Sequence, residues 1–283
     1  MFLHIRVFKV TAQKMSCRLN RIRKAPQCPF SARGFTLMEL LVVISIIGVL
    51  ASLIVGFLGG TSYQKKITVT EAKLRELELG IEDYKASIGF YPPDNKSNTV
   101  TNQLFYELTG THYSYRKRLF ISEQGGDGLN LDCWIHQRRR QGDDNLKVDD
   151  DLKRQVCRNF FGVDGIQNTT ASSKTKSFIE LGAKDFALIS VRPKVRVLVA
   201  PVKWPLSKVE GVDKNGRDLD DYRPIKSNNE CFRVLNPWQY RSSGPGRHNL
   251  RSFDLWADIP IRGSIHRVGN WRKDPEAFNR VDK

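Results

Sequence analysis

Residues 34–58 read Gly-Phe-Thr-Leu-Met-Glu-Leu-Leu-Val-Val-Ile-Ser-Ile-Ile-Gly-Val-Leu-Ala-Ser-Leu-Ile-Val-Gly-Phe-Leu, and from residue 40 onward the run holds no charged side chain. At roughly 1.5 Å per residue, a helix of this length crosses about 30 Å of hydrocarbon. The stretch therefore predicts a single membrane-spanning helix over residues 35–60. Ser45, Gly48, Ser52 and Gly56 fall every three or four residues along it. Such a small-residue stripe lets neighbouring helices approach closely, although ordinary membrane-helix composition gives the same pattern. Working outward, Arg6, Lys9, Lys14, Arg18, Arg21, Arg23, Lys24 and Arg33 precede the run with no acidic residue among them. That charge keeps the N-terminal side in the cytoplasm and sends the rest of the chain to the other face of the membrane. A conventional secretory signal is cut after its apolar stretch, whereas here the better cut lies before it, after Gly34. Glu39 is the anomaly. A carboxylate on an apolar helix costs about 2.5 to 3.5 kcal/mol near the bilayer centre and less near an interface, so it calls for a partner.

The string Gly34-Phe35-Thr36-Leu37-Met38-Glu39 ahead of some twenty apolar residues strongly resembles the cleavage and methylation motif of type IV prepilins. The resemblance implies an aspartic prepilin peptidase that cuts after Gly34 and methylates the amine of Phe35. It also implies a partner for Glu39, the N-terminal amine of a neighbouring subunit. In low dielectric such a pair offsets the burial of both charges only when it is well formed, which enforces register between subunits. Residues 1–34 are then a leader that is removed. A start at Met15 leaves the cleavage position unchanged.

The formal net charge is +16. Eight of the 46 basic residues lie in the leader, so the remainder carries 38 basic against 30 acidic, or +8. That residue of charge is a mild bias rather than a nucleic-acid signature. The whole chain's mean hydropathy of −0.42 is that of a soluble globular average, so a membrane segment has to be a single concentrated run. Cys17 and Cys28 belong to the leader. Cys133, Cys157 and Cys231 permit one disulfide and one odd thiol in an oxidising compartment, with the pairing open.

Leu74, Leu77, Ile81, Tyr84 and Ile88 recur at spacings of three and four within an amphipathic helix that continues the first over residues 61–90. Gly89-Phe90-Tyr91-Pro92-Pro93 ends it, since two prolines remove donors and force extended backbone. Residues 103–108 read as a short helix. Residues 186–191 and 194–202 carry period-two apolar residues and read as strands. Asp143, Asp144, Asp149, Asp150 and Asp151 beside Arg138-Arg139-Arg140 read as solvated loop or helix-start charges.

The order Asn236-Pro237-Trp238, Gln239-Tyr240-Arg241, Phe253-Asp254-Leu255-Trp256 and Gly269-Asn270-Trp271 is similar to the closing sheet of the major pseudopilin of type II secretion, as is the Tyr-Pro-Pro string after the helix. The resemblance implies an α+β fold in which a long N-terminal helix, its first half transmembrane, packs on a small antiparallel sheet. Residues 91–283 form the head, with residues 110–235 as a family-specific insertion. It further implies a calcium site in the last loop. Asp258 matches the first acidic ligand, but His266-Arg267 stands where an acidic pair belongs, and positive charge there opposes a hard cation. A second acidic turn, Asp213 to Asp221, offers alternating oxygens around Gly216, yet a calcium loop's twelfth-position glutamate is here Pro224. His112, His136, His248 and His266 make no catalytic spacing with Ser, Cys or Asp, and Cys133 with His136 reads as ordinary surface.

The function expected is a structural pseudopilin subunit, not an enzyme, held in the bacterial inner membrane by one span with its head in the periplasm. Its expected partners are the prepilin peptidase, further copies in a homopolymer, and the assembly platform and ATPase of the secretion machine. The alternative is a type IV pilin for adhesion or DNA uptake, with Arg241, Arg247, Arg251, Arg262, Arg267 and Arg272 as a phosphate-attracting face. The absence of interleaved aromatics makes nucleic acid the weaker expectation.

Overall fold

The computed structural model describes residues 35–278 apart from 115, 117, 125–128, 143–149, 171–174 and 192–193. For residues 53–61 and a few positions inside other elements it describes the backbone alone. The chain divides into two compact units, Met1–Leu53 and Ile54–Lys283. Helix α1 runs Leu37–Ile88. Within the second unit, Ile67, Leu74, Leu77, Ile81 and Tyr84 are buried along one stripe of it, which is the stripe the three-and-four spacing predicts. Charged residues take the other faces. Lys73 reaches off the helix to Asp185 at 2.9 Å and to Glu76 on its own next turn. The helix stops where expected. Gly89 takes φ +100° while its N–H still donates to the Lys85 carbonyl, and Pro92 and Pro93 have no N–H to continue the ladder.

The remaining elements of the second unit follow in order. They are α2 Leu104–Thr109, β1 Thr111–Ser114, β2 Leu119–Ser122, β3 Leu129–Asn130, α3 Asp132–Arg140, α4 Asp150–Phe161, β4 Thr169–Thr170, β5 Phe186–Val191, β6 Lys194–Leu198, α5 Glu230–Arg233, β7 Gln239–Arg241, β8 Asp254–Ile261, β9 Ser264–Gly269 and β10 Glu276–Phe278. The closing sheet has order β10-β9-β8-β7 and is antiparallel throughout. It is the small sheet the C-terminal motifs announce. The hairpin β5-β6 joins the two strands expected over residues 186–202, whereas the sheet β3-β2-β1-β4, in which β1 and β4 run parallel, was not expected. The α+β class holds, with three sheets instead of one.

The short helix α2 lies one residue beyond its expected position and is buried along its whole length. Strand β6 stops at Leu198, short of the predicted residue 202. The chain leaves the hairpin there, Val199 bridging Pro237 and Ala200 donating to the Asn236 carbonyl, and Pro201 has no N–H to extend a ladder. Charge at the helix ends follows the peptide dipole: Arg138, Arg139 and Arg140 close α3, and Asp150 and Asp151 open α4. Asp143, Asp144 and Asp149 lie outside the described residues.

One contact ties the two ends of the head. The Pro92 carbonyl accepts the hydroxyls of Tyr240 and Ser242, both at 2.9 Å, so the turn that ends α1 is fastened to β7. The sheet's inner face, with Leu255, Ala257, Ile259, Ile261 and Val268, joins the helix stripe in one core. Its other face carries a second small core, where Trp204, Val209 and Leu219 pack on Ile265 and Phe278 with Tyr222 alongside.

Candidate functional site

Phe35 and Thr36 precede α1, and the helix opens with a reciprocal cap. The Glu39 N–H donates to Thr36 Oγ1 at 3.2 Å, while a Glu39 carboxylate oxygen accepts the Thr36 N–H and hydroxyl, each at 2.9 Å. This is the capping box of Thr and Glu three residues apart, satisfying two N-terminal donors from within the chain. The sequence string contained it, yet the reading of Glu39 as a membrane anomaly passed over Thr36. Gly34 lies outside the described residues.

From Phe35 to Leu50 the helix exposes apolar side chains on every face: Phe35 is 78% exposed, Leu37 82%, and Val49 60%. A helix apolar all round is one that belongs inside something. Its two serines add no outward donor. Ser45 and Ser52 give their hydroxyls to the carbonyls of Leu41 and Val49, at 2.6 and 2.7 Å, which leaves the surface compatible with a medium that cannot hydrogen-bond. An added Cβ at Gly48 would meet nothing within 4 Å. Among the described residues no helix is long and apolar enough to cross a membrane. The apolar run continues through residues 53–58, whose side chains lie outside the described residues.

Asp258 sits on the closing sheet, by alternation on the same face as Trp256 and Pro260, and is nevertheless only 1% exposed. Directly across the β8-β9 pair stands Arg267, whose Nε and Nη2 donate to the two carboxylate oxygens at 2.7 and 2.9 Å. The fork leaves neither oxygen open to a cation. The hairpin signal was in the sequence: Arg262 and Gly263, both with positive φ, form the two-residue turn, and Asp258 and Arg267 are equidistant from it. Asp213 is likewise occupied, accepting the N–H groups of Asn215 and Arg217 and the Tyr222 hydroxyl. Among the described residues no three His, Cys, Asp or Glu side chains converge as metal ligands. The acidic donors here do not fit a calcium ion.

Two of the six arginines proposed for phosphate, Arg247 and Arg267, are committed within the fold. Arg247 donates to the carbonyls of Ser242 and Ser252, Arg267 holds Asp258, and Arg272 lies 3.7 Å from Glu276. Cys157 is buried and Cys231 exposed, and both are free thiols. The disulfide that the three head cysteines permit is thus not formed by Cys157 or Cys231, and the Cys133 side chain lies outside the described residues. His112 contacts Glu123, His248 stacks on Trp271, and His266 meets the Tyr63 ring edge-on. A recess of about 420 Å³ near α4 is lined by Asp150, Lys153 and Asp164. Asp150 pairs with Lys153 and Asp164 with Arg158, so these acids are held in ion pairs.

Residues 30–55, a span that includes Gly34, Phe35 and Glu39, match the family described as prokaryotic N-terminal methylation motif. The chain is type IV prepilin-like. It is 42% identical over 64 residues to the type II secretion system core protein G of Escherichia coli strain K12, covering 23% of this chain and 44% of that relative. It thus spans less than half the length of the curated relative it matches. No solved structure matches it.

Proposed function

We propose that this chain is a pseudopilin-type subunit of a type II secretion filament, released from its leader between Gly34 and Phe35 and methylated on the Phe35 amine. The observation that carries this reading is the Thr36-Glu39 cap at the head of a helix apolar on all sides. Buried among like helices, such a segment retains one carboxylate, and a neighbour's N-terminal amine is the cation available to it. Before assembly Thr36 satisfies Glu39. On assembly the amine competes with those hydrogen bonds and gains the larger charge-assisted interaction. One span holds the subunit in the inner membrane with the head on the periplasmic side, and the secretion machine's platform and ATPase supply the energy for extraction. The chain itself performs no catalysis in this scheme. The commitment of Arg247 and Arg267 within the fold favours the secretion role over DNA uptake.

Mass spectrometry of the mature N-terminus tests it. Methyl-Phe35 is expected in the wild type, and Glu39→Ala should be cut normally yet fail to enter filaments. An unprocessed N-terminus, or filaments of the Glu39→Ala protein at wild-type yield, refutes the reading.

A further inference from the structure

The C-terminal resemblance implies a calcium ion in the last loop, and the two acidic positions this chain offers for one, Asp258 in β8 and the turn at Asp213, are closed by donors of its own. The closures belong to one side-chain array. Arg267 forks onto Asp258, and its guanidinium also lies 5.1 Å from the Phe278 ring centroid and 5.9 Å from that of Trp256. Phe278 stacks on Tyr222 at 4.7 Å with 22° between planes, and the Tyr222 hydroxyl donates to Asp213 at 2.5 Å. A line of contacts therefore runs from Asp258 in β8 through β9 and β10 to the turn at Asp213.

We infer that Arg267 is the resident cation of the closing sheet, doing by a fixed guanidinium what a bound divalent ion would do, so that the head folds and keeps its shape independently of calcium. A hard cation needs six to eight oxygens around it. Here both oxygens of Asp258 face a planar fork that matches their spacing, and the next carboxylate, Glu276 across the β9-β10 pair from Arg267, lies 3.7 Å from Arg272. The guanidinium also does what calcium cannot: its faces lie against Trp256 and Phe278, holding the segment around residues 204–222 on the outer face of the sheet. A charge built into the chain does not depend on the ion concentration outside the cell.

The test is thermal unfolding of the full chain in detergent, followed by near-ultraviolet circular dichroism, which reports the packing of the head's aromatic side chains, Trp204, Trp238 and Trp256 among them. Melts of the wild type in excess EDTA and in millimolar calcium chloride should superimpose. Asp258→Asn and Arg267→Met should each lower Tm by about 10 °C, since each leaves a buried partner unpaired, and the double variant should lose less than the two single losses added. A wild-type Tm that rises with calcium or falls with EDTA overturns the inference, as does an Arg267→Met protein that melts like the wild type. Should that variant fail to fold, the wild-type melts decide alone.

Discussion

Tyr84 on α1 donates its hydroxyl at 2.9 Å to the carboxylate of Glu107 on α2, and both residues are wholly buried. Three further donors complete the site: the Gln103 side-chain amide and the backbone N–H groups of Gln167 and Asn168, each at 2.8 Å. One acid thus gathers the long helix, the short helix and the start of β4. Replacing Tyr84 with Phe removes a donor without opening a large cavity. The expected cost is about 1 to 3 kcal/mol, read as a lower urea midpoint at unchanged slope. Wild-type stability in the variant would show that Tyr84 is not part of the clasp.

Burial pushes the Glu107 carboxyl up from 4.5 to about 7, because the hydrogen bonds do not fully offset desolvation. The folded chain then binds this proton more tightly than the unfolded chain. Its contribution to stability is fully present below about 4.5 and is lost as pH rises through about 7. Glu78, also raised by burial, adds in the same direction. His266, lowered by burial from 6.5, opposes it, its contribution being lost as pH falls. Glu107→Gln should be less stable overall, since its NH₂ faces donors, and should show a smaller loss of Tm between pH 5 and 7. Parallel pH profiles for the two proteins would remove Glu107 as the cause.

Gly110 joins α2 to β1 at φ +70° and ψ 149°, a conformation open essentially to glycine. A Cβ there would also stand 2.6 Å from Thr175 Oγ1 and 2.9 Å from the Lys176 carbonyl. Gly110→Ala should destabilise the head by at least about 1 to 3 kcal/mol from the backbone alone. Thermal melts check this, and an unchanged Tm contradicts the close approach.

The thiols differ sharply in access. Burial pushes the Cys157 thiol up to about 12, whereas Cys231 is exposed. Iodoacetamide followed by peptide mapping should modify Cys231 in the native protein and Cys157 only in denaturant. Native labelling of Cys157 at a comparable rate would place it nearer solvent than it stands here.

The long helix, its buried stripe and its stop at Gly89 were legible because each follows from local spacing or from residues with fixed backbone demands. The C-terminal strands were legible only through the resemblance of their motifs, and those over residues 186–198 through alternation. What escaped the sequence was tertiary. Glu107 reads as one more helix-surface acid, and only the meeting of α1, α2 and residues 167–168 turns it into a core residue. Asp258 invited a cation through the family resemblance; Arg267 was seen as opposing charge, but its direct pairing with Asp258 follows only from strand register. The parallel pairing of β1 with β4 joins segments more than fifty residues apart, which no short-range pattern encodes.

The fastening of Pro92 to Tyr240 closes a loop of chain around most of the head. Everything between those residues hangs from a closed clasp, and lengthening a closed loop is cheap: doubling it adds only about 0.6 kcal/mol. That latitude belongs to the exposed turns of the middle of the head, because α2 and β6 share one core with the helix and the closing sheet.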